Sequence, residues 1–388
     1  MHASPYKPPQ ARIPHFTRVD LGERLVILIP PSTVPDIVQI TDVKPVASYS
    51  CVPSKYPKLV IPGSPNIWTD NIPKRVKKDR ETRMQERKEA CFSSPVPLFI
   101  AVDTLHDGKF KYDTLDVITD RNSLRKLLRW VTGSNSNPFR IDVQRSGKTC
   151  IFTKVKTADH SAQTTGYGLG FEAAATRPGP GCEGTYGHYR IITYDFGGLQ
   201  VLIRFEVDAC LSADTNDNVS DELASALSEL TVDTSTSTRQ ANVDVRYSDF
   251  GLSVELQSSR ELVPQSSLID LVTRTMKGDV RWQEVFPQMY LSQTEYLYIA
   301  RHERGMFGNV EKVRLNGAMS DEIARRRRRV ETVEMPKLKA ALDAILSVVR
   351  KVDDGVQLSL VRERGELALY KLRQGKGPGE SGSRGQGS

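Results

Sequence analysis

The sequence lacks several patterns that would point directly to a function. No run of about 18 or more apolar residues is present, and the opening residues, MHASPYKPPQARIPHF, lack the apolar core of a signal peptide, so we expect neither membrane insertion nor secretion. The five cysteines are widely spaced and form no C-x-x-C pair, which argues against a disulfide framework and a zinc ribbon. The six histidines show no H-x-x-x-H spacing, and no P-loop or Ser-His-Asp pattern stands out.

The composition that is present fits one large domain with a charge suited to a polyanion. The chain has 388 residues, 38% of them hydrophobic, which is enough to bury a core. Lysine and arginine total 54 against 47 acidic residues, a formal charge of +7, which favours an anionic partner. We expect a disordered arm over residues 1–20, one domain over 21–373 with a polar insertion at 212–245, and a disordered tail over 374–388.

One acidic strand is the strongest chemical signal. In LQVLIRFEVDACL, Glu206 and Asp208 are one residue apart, so on a strand both carboxylates project from the same face. Two neighbouring carboxylates repel each other unless a cation balances them, and Mg²⁺ or Mn²⁺ accepts such oxygen ligands. The alternatives are a pair that faces water at a sheet edge or one that is balanced by Arg204.

Several short motifs follow one another in the order found in the DXO-type decapping exoribonucleases. The segment VITDRNSLRKLLR resembles the family helix that begins with an arginine, here Arg121. The segment GLGFE resembles the glycine-containing motif that ends in a glutamate, here Glu172. Glu206-Val207-Asp208 matches the family's Glu-x-Asp strand. Over about residues 114–310 the chain therefore resembles a divergent, fungal member of this family.

The next family motif, E-L-K-T-S-R, has two candidate positions. Glu255-Leu256-Gln257-Ser258-Ser259-Arg260 is similar at most positions, with Gln257 where the lysine belongs. The alternative is LIDLVTRT, with Asp270 at the acidic position and Val272 in place of the lysine. The longer match and its strand-like context favour Glu255. In either alignment the catalytic lysine of the family is missing.

The resemblance implies a fold, an activity and a set of residues. The fold is α+β, a single domain with a mixed β-sheet flanked by helices, of the PD-(D/E)XK nuclease type. The activity is metal-dependent processing of RNA 5′ ends, with Mg²⁺ or Mn²⁺ as the cofactor, RNA and a protein as partners, and a nuclear or cytoplasmic location. The implied catalytic residues are Glu206, Asp208, Glu255 and Gln257, the metal ligands are Glu172, Glu206, Asp208 and Glu255, and the groups that bind RNA phosphates are Arg121 and Arg125.

Two other functions stay open at this point. Because Gln257 can orient a water but carries no charge, activity should be weakened, and a catalytically inactive RNA- or protein-binding module is the main alternative. Fungal proteins of this layout are sometimes labelled geranylgeranyl pyrophosphate synthases. The D-D-x-x-D motifs of prenyl-chain synthases are absent, however, since only an isolated Asp353-Asp354 occurs. The run Arg325 to Arg329 suits either an RNA-binding or nuclear-localisation patch or a solvated helix start.

Overall fold

A computed structural model describes residues 20–32, 36–52, 58–79, 94–134, 137–155, 166–212, 244–247, 252–315 and 320–373. Residues 1–19 of the predicted arm, 213–243 of the predicted insertion and the whole predicted tail lie outside the described residues. Within the described ranges, no helix has the length and apolar character needed to cross a membrane.

The larger of two β-sheets has twelve described strands, numbered here in chain order. From edge to edge they are β1 (Leu21–Leu28), β18 (Glu366–Leu372), β17 (Gln357–Glu363), β6 (Phe139–Ser146), β7 (Thr149–Lys154), β5 (Val117–Asp120), β10 (Leu199–Val207), β9 (Gly187–Phe196), β2 (Ile40–Val52), β3 (Lys58–Ile61), β13 (Ser253–Leu256) and β12 (Asp244–Tyr247). The sheet is mixed, because β5 runs parallel to β7 and β10 whereas β6–β7 and β9–β10 are antiparallel hairpins, as their alternating sequences predict.

The smaller sheet has six described strands and joins the larger one through a single residue. Its order is β16 (Met306–Arg314), β15 (Tyr296–Glu303), β14 (Leu268–Thr275), β11 (Ala209–Cys210), β4 (Ile67–Trp68) and β8 (Thr176–Arg177). Only Asp208 lies between the end of β10 in the large sheet and the start of β11 in the small one. The chain thus changes sheets at one of the two acids of the Glu-x-Asp pattern.

Helices cover the sheets. In chain order they are α1 (Val96–Leu105), α2 (Arg121–Thr132), α3 (Gly168–Ala175), α4 (Trp282–Ser292), α5 (Asp321–Arg329) and α6 (Met335–Val349), with a π-helical turn, Val330–Glu334, between α5 and α6. Helix α2 buries Leu124, Leu127, Leu128 and Val131, which share one side at helical spacing. It ends at Gly133, whose φ of 66° is a left-handed conformation that a side chain would strain.

Three apolar clusters form the core. In the largest, α2, α4 and α6 pack together with strands of both sheets, for example Leu127, Met289 and Leu342 with Ile203. The second lies beneath α1, where Leu98 and Val102 contact β2 and β3. The third surrounds Trp68 and Phe171 against the small sheet. The predicted α+β class, with mixed sheet flanked by helices, is confirmed.

Candidate functional site

At the residue where the chain changes sheets, Asp208, a third strand, β14, is also in contact. The Asp208 carboxylate accepts a hydrogen bond of 2.7 Å from the backbone N–H of Leu271 on β14. Strands β11 and β14 pair antiparallel, with Ala209 opposite Ile269. Extending this register by one residue sets Asp208 opposite Asp270. Like charges directly opposite one another repel, so this position carries an electrostatic cost.

Four acids share this region, and we call them the acid cluster: Glu172, Glu206, Asp208 and Asp270. The pKa of Asp208 lies well above its usual value, because the group is buried and because the negative charges of Asp270, Glu172 and Glu206 add to that effect. The hydrogen bond from Leu271 opposes the shift without cancelling it. Burial and the neighbouring acids together therefore disfavour the charged form of Asp208.

Glu172 belongs to a short helix, α3, whose first turn packs closely against residues 76–79. Asp79 accepts backbone hydrogen bonds from Leu169 and Gly170 at the beginning of α3. A Cβ at Gly170 would come within 2.5 Å of Val76 Cγ1, so only glycine fits there. The GLGFE segment is thus helical, and the packing of Gly170 against Val76 and Asp79 fixes the position of the helix that carries Glu172.

Arg121 begins α2 beside the acid cluster and is held from three sides. Its Nη1 donates to Asp270 Oδ2 at 3.3 Å and to Ser292 Oγ at 3.0 Å, and its Nη2 donates to the backbone oxygen of Glu206 at 3.3 Å. The guanidinium also lies over the Phe205 ring at 5.4 Å from its centroid. Arg121 therefore offsets part of the negative charge of Asp270 and links it to the acidic strand.

A cavity of about 290 Å³ opens at this place, and we call it the site cavity. Its lining includes Glu206 and Asp208 together with the cations Arg121, Arg125 and Lys154. Carboxylates and cations in one cavity are the groups that a metal ion and a phosphate would need.

Comparisons with known proteins place the chain in a family without an assigned function. Residues 32–366 match a domain family described as a domain of unknown function, DUF8563. The chain belongs to the DUF8563 family. No curated protein matches this DUF8563 protein.

Solved structures share the fold at low sequence identity. The Schizosaccharomyces pombe Rai1 structure has 14% identity and a TM-score of 0.57, and the match covers 88% of this chain and 96% of that one. Candida albicans Rai1 in complex with pU5 and Mn²⁺ has 13% identity and a TM-score of 0.53, with 89% and 93% covered. Scheffersomyces stipitis Rai1 in complex with (3′-NADP)⁺ and calcium has 12% identity and a TM-score of 0.52, with 91% and 93% covered. The predicted DXO-type fold is confirmed.

The structure does not bring Glu255 and Gln257 to the acid cluster. Glu255 lies on β13, four strands from β10 across the large sheet, or about 19 Å at the usual strand spacing. Its carboxylate forms an ion pair with Lys58. The Gln257 amide donates to Pro180 O at 3.2 Å and lies 3.7 Å from Cys182 Sγ. The favoured alignment thus put these two residues in the wrong place, and Asp270, from the alternative alignment, is the fourth acid of the cluster.

In this alignment the position of the family lysine is occupied by an apolar side chain. Val272 follows Asp270 by two residues on β14, so both side chains point to the same face of the strand. Val272 is half-buried and packs against the largest apolar cluster. The residue two positions after the fourth acid of the cluster is thus Val272, whereas Gln257 lies at a distant strand end.

The sequence does not mark two of the residues around the site. The Gln288 amide donates to Asp270 Oδ2 at 3.3 Å, and Lys154 lines the site cavity from the end of β7. Arg204, which the sequence offers as a counter-charge for Glu206, donates to Asp120 Oδ1 at 2.6 Å, to the Tyr49 hydroxyl and to Ser94 O. No motif marks Gln288 or Lys154, since only the packing of α4 and β7 brings them here.

The donor chemistry of the acid cluster suits a divalent cation. Mg²⁺ and Mn²⁺ prefer carboxylate oxygens. Burial and repulsion between the acids raise the pKa of Asp208, and a cation would oppose the repulsion. Within the part of the chain that the structure describes, no three His, Cys, Asp or Glu side chains are arranged to hold an ion. The acids thus fit a cation by their chemistry and charge, but not by their arrangement in this structure.

Proposed function

We propose that this protein hydrolyses phosphodiester bonds at the 5′ end of RNA with the help of a divalent cation, at a rate limited by the missing lysine. The observation that carries the proposal is the acid cluster beside Arg121, in which Glu172, Glu206 and Asp270 act together on Asp208. Support comes from the fold, because one protein of the same fold, Candida albicans Rai1, binds pU5 with Mn²⁺.

The chemistry of each side chain at the site indicates the role we propose for it. A Mg²⁺ or Mn²⁺ ion held by Glu172, Glu206, Asp208 and Asp270 would polarise the phosphodiester and lower the pKa of an attacking water. Arg121 would donate to a phosphate oxygen, because a guanidinium has five donors in a rigid fork and three contacts leave donors available. Ser292 and Gln288 orient Arg121 and Asp270 by the hydrogen bonds they share with them.

The experiment compares acids inside and outside the cluster. Hydrolysis of 5′-phosphorylated and capped RNA is measured with Mg²⁺, Mn²⁺ or neither, for the wild type and for Asp208→Asn, Asp270→Asn and Glu255→Gln. We expect the two aspartate variants to lose activity and Glu255→Gln to keep it, because Glu255 pairs with Lys58 at a distant strand. Activity that depends on Glu255 and not on Asp270 would contradict the proposal.

A second candidate function is RNA binding without hydrolysis. The specific observation that favours it is Val272, which offers no charge where a cationic donor is needed, together with the Arg121–Asp270 ion pair, which occupies one donor of the phosphate-binding arginine. Salt-sensitive RNA binding with no product after prolonged incubation with Mn²⁺ would favour this candidate.

A further inference from the structure

Three arginines follow one another along a single face of helix α2. Arg121, Arg125 and Arg129 are spaced four residues apart, so their side chains share one face and succeed one another by about 6 Å along the axis. Like charges at this spacing destabilise a helix, and a cation in the first turn opposes the helix dipole. This arrangement therefore costs the isolated helix some stability, which points to a ligand that balances it.

The middle arginine has no ion-pair partner among the residues that the structure describes. Arg121 pairs with Asp270, and Arg129 pairs with Glu284 at 3.2 Å. Arg125 makes no hydrogen bond or ion pair with any residue that the structure describes. Burial and the positive charges of Arg129 and Arg121 together lower the pKa of Arg125 to about 10, although the charges of Asp270 and Glu284 act in the opposite direction. A bound anion would relieve both effects.

Arg125 lies between two cavities. It lines the site cavity, and it also lines a second cavity of about 290 Å³ whose other cations are Arg129, Arg329 and Lys337. The walls come from α2, α4, α6, the end of α5 and the π-helical turn. Such π-helical turns are frequent at functional sites. Two acids, Glu284 and Glu334, also line the second cavity, so four cations face two acids there.

The composition of the second cavity selects the part of a nucleic acid that it suits. None of its lining residues is aromatic, so it offers no platform on which a base could stack. Arginine and lysine side chains recognise phosphate by charge and by paired hydrogen bonds. The second cavity therefore fits a sugar–phosphate backbone of any base sequence.

We propose that the second cavity binds the phosphates of single-stranded RNA that follow the 5′ end, with Arg125 joining it to the site cavity. The direction of the strand rests on the proposed function, whereas the binding of the backbone does not. An extended strand leaving the acid cluster along α2 meets Arg125 first and then Arg129 with Lys337. The regular spacing of the three arginines favours a chain of regularly spaced phosphates over an acidic protein segment.

The test measures how affinity depends on RNA length. Binding of 5′-phosphorylated oligouridylates of about 2 to about 12 nucleotides is followed by fluorescence anisotropy without divalent ions, so that no hydrolysis is needed. For the wild type we expect affinity to rise with length and then level off. In Arg129→Gln/Lys337→Gln, long strands should bind about 10-fold more weakly, short ones should bind unchanged, and the salt slope for long strands should fall by about 1.4.

The control is Arg328→Gln, which removes one positive charge next to Arg329, and Arg129→Gln alone is the variant that matches it in charge. Arg328 lines a different cavity, with Ile37 and Gln39, so this variant should bind long strands like the wild type. Equal affinity of the wild type for short and long strands would overturn the proposal, as would an equal loss in Arg328→Gln. Displacement of long RNA by a polyglutamate peptide of matched charge, at matched affinity, would indicate an acidic-protein site instead.

These outcomes separate the second cavity from the proposed hydrolysis. Length-dependent binding without any RNA cleavage would refute the hydrolase and leave the second cavity in place. Cleavage of RNA with no dependence on length would support the hydrolase and refute the second cavity. Unchanged unfolding temperatures of the variants show that the fold is intact in either case.

Discussion

Replacing Val272 by lysine tests why this protein should be slow. Val272 follows Asp270 by two residues on the same face of β14, about 7 Å along the strand. A lysine side chain is long enough to span that separation. Val272 is half-buried against the core, and the nearby acid cluster would attract an ammonium group placed there. Val272→Lys should therefore fold and direct its charge toward the cluster.

The expected gain follows from what one well-placed donor contributes. Loss of a single donor to a developing negative charge costs about 10² to 10³ in rate, or about 2.7–4 kcal/mol in activation free energy. Val272→Lys should recover a similar factor in the chemical step. A second effect has the same sign, because the new positive charge would lower the pKa of Asp208 and keep that carboxylate ionised.

The assay is single-turnover hydrolysis of 5′-phosphorylated RNA with Mn²⁺ in excess. Val272→Met is the matched control, because it adds length without charge and should leave the rate unchanged. Asp208→Asn in the Val272→Lys background should abolish the gain. If Val272→Lys unfolds at the wild-type temperature, binds RNA normally and is still no faster, then Val272 does not occupy the position of the missing lysine.

Three stability predictions follow from buried groups near α2. Burial and the charge of Lys154 lower the pKa of Lys126 from 10.5 to about 8. The charged form of Lys126 therefore destabilises the folded state below about pH 8, and this destabilisation disappears as the pH rises towards 10.5. Lys126→Met should therefore raise the free energy of unfolding at pH 7 by on the order of 1–3 kcal/mol and change it little near pH 10, measured by denaturant titration. Asp120→Asn leaves the guanidinium of Arg204, which is 3% exposed, without its counter-charge. This variant should lower the free energy of unfolding by about 3–5 kcal/mol, and Asp120→Asn/Arg204→Met should recover part of that loss. Leu127→Ala opens a cavity at a fully buried position and should cost about 2–5 kcal/mol, measured by the same titration.

Each of the three stability predictions can be contradicted by a specific result. An equal effect of Lys126→Met at pH 7 and pH 10 would mean that Lys126 is well solvated. A small cost for Asp120→Asn would mean that water or another acid reaches Arg204. A loss below about 1 kcal/mol in Leu127→Ala would mean that α2 is not anchored in the core by this residue.

Local sequence patterns predicted much of the fold because their information is short-range. The spacing of Leu124, Leu127, Leu128 and Val131 marks the buried side of α2 within two turns. The β6–β7 and β9–β10 hairpins are also local, since alternation and a glycine turn determine them. The split into two sheets could not be predicted in this way. It depends on the pairing of β11 with β14, whose strands are about 60 residues apart in the chain.

The same limit explains the misplaced acid. Glu255 and Asp270 both sit in short strands with apolar neighbours, so local sequence cannot separate them. The difference lies in pairing, because β13 joins β3 at one end of the large sheet, whereas β14 joins β11 beside Asp208. Glu206, Asp208 and Arg121 were found correctly as neighbours, because β5 and β10 pair directly and α2 follows β5 without a break.

Under the proposed function, the contacts of Arg121 would make cation binding and phosphate binding assist each other. In the structure Arg121 offsets part of the charge of Asp270, while burial and the charges of Asp270, Glu172 and Glu206 keep the pKa of Asp208 high. A divalent ion on the acid cluster would take over the neutralisation of Asp270 and free one more Arg121 donor for phosphate, besides the donors already available. A phosphate on Arg121 would in turn leave Asp270 less balanced and strengthen its attraction for the ion. Because linked binding free energies are reciprocal, each ligand must raise the affinity for the other by the same factor. A lysine at position 272 would weaken this coupling, since it would neutralise the acids in either state.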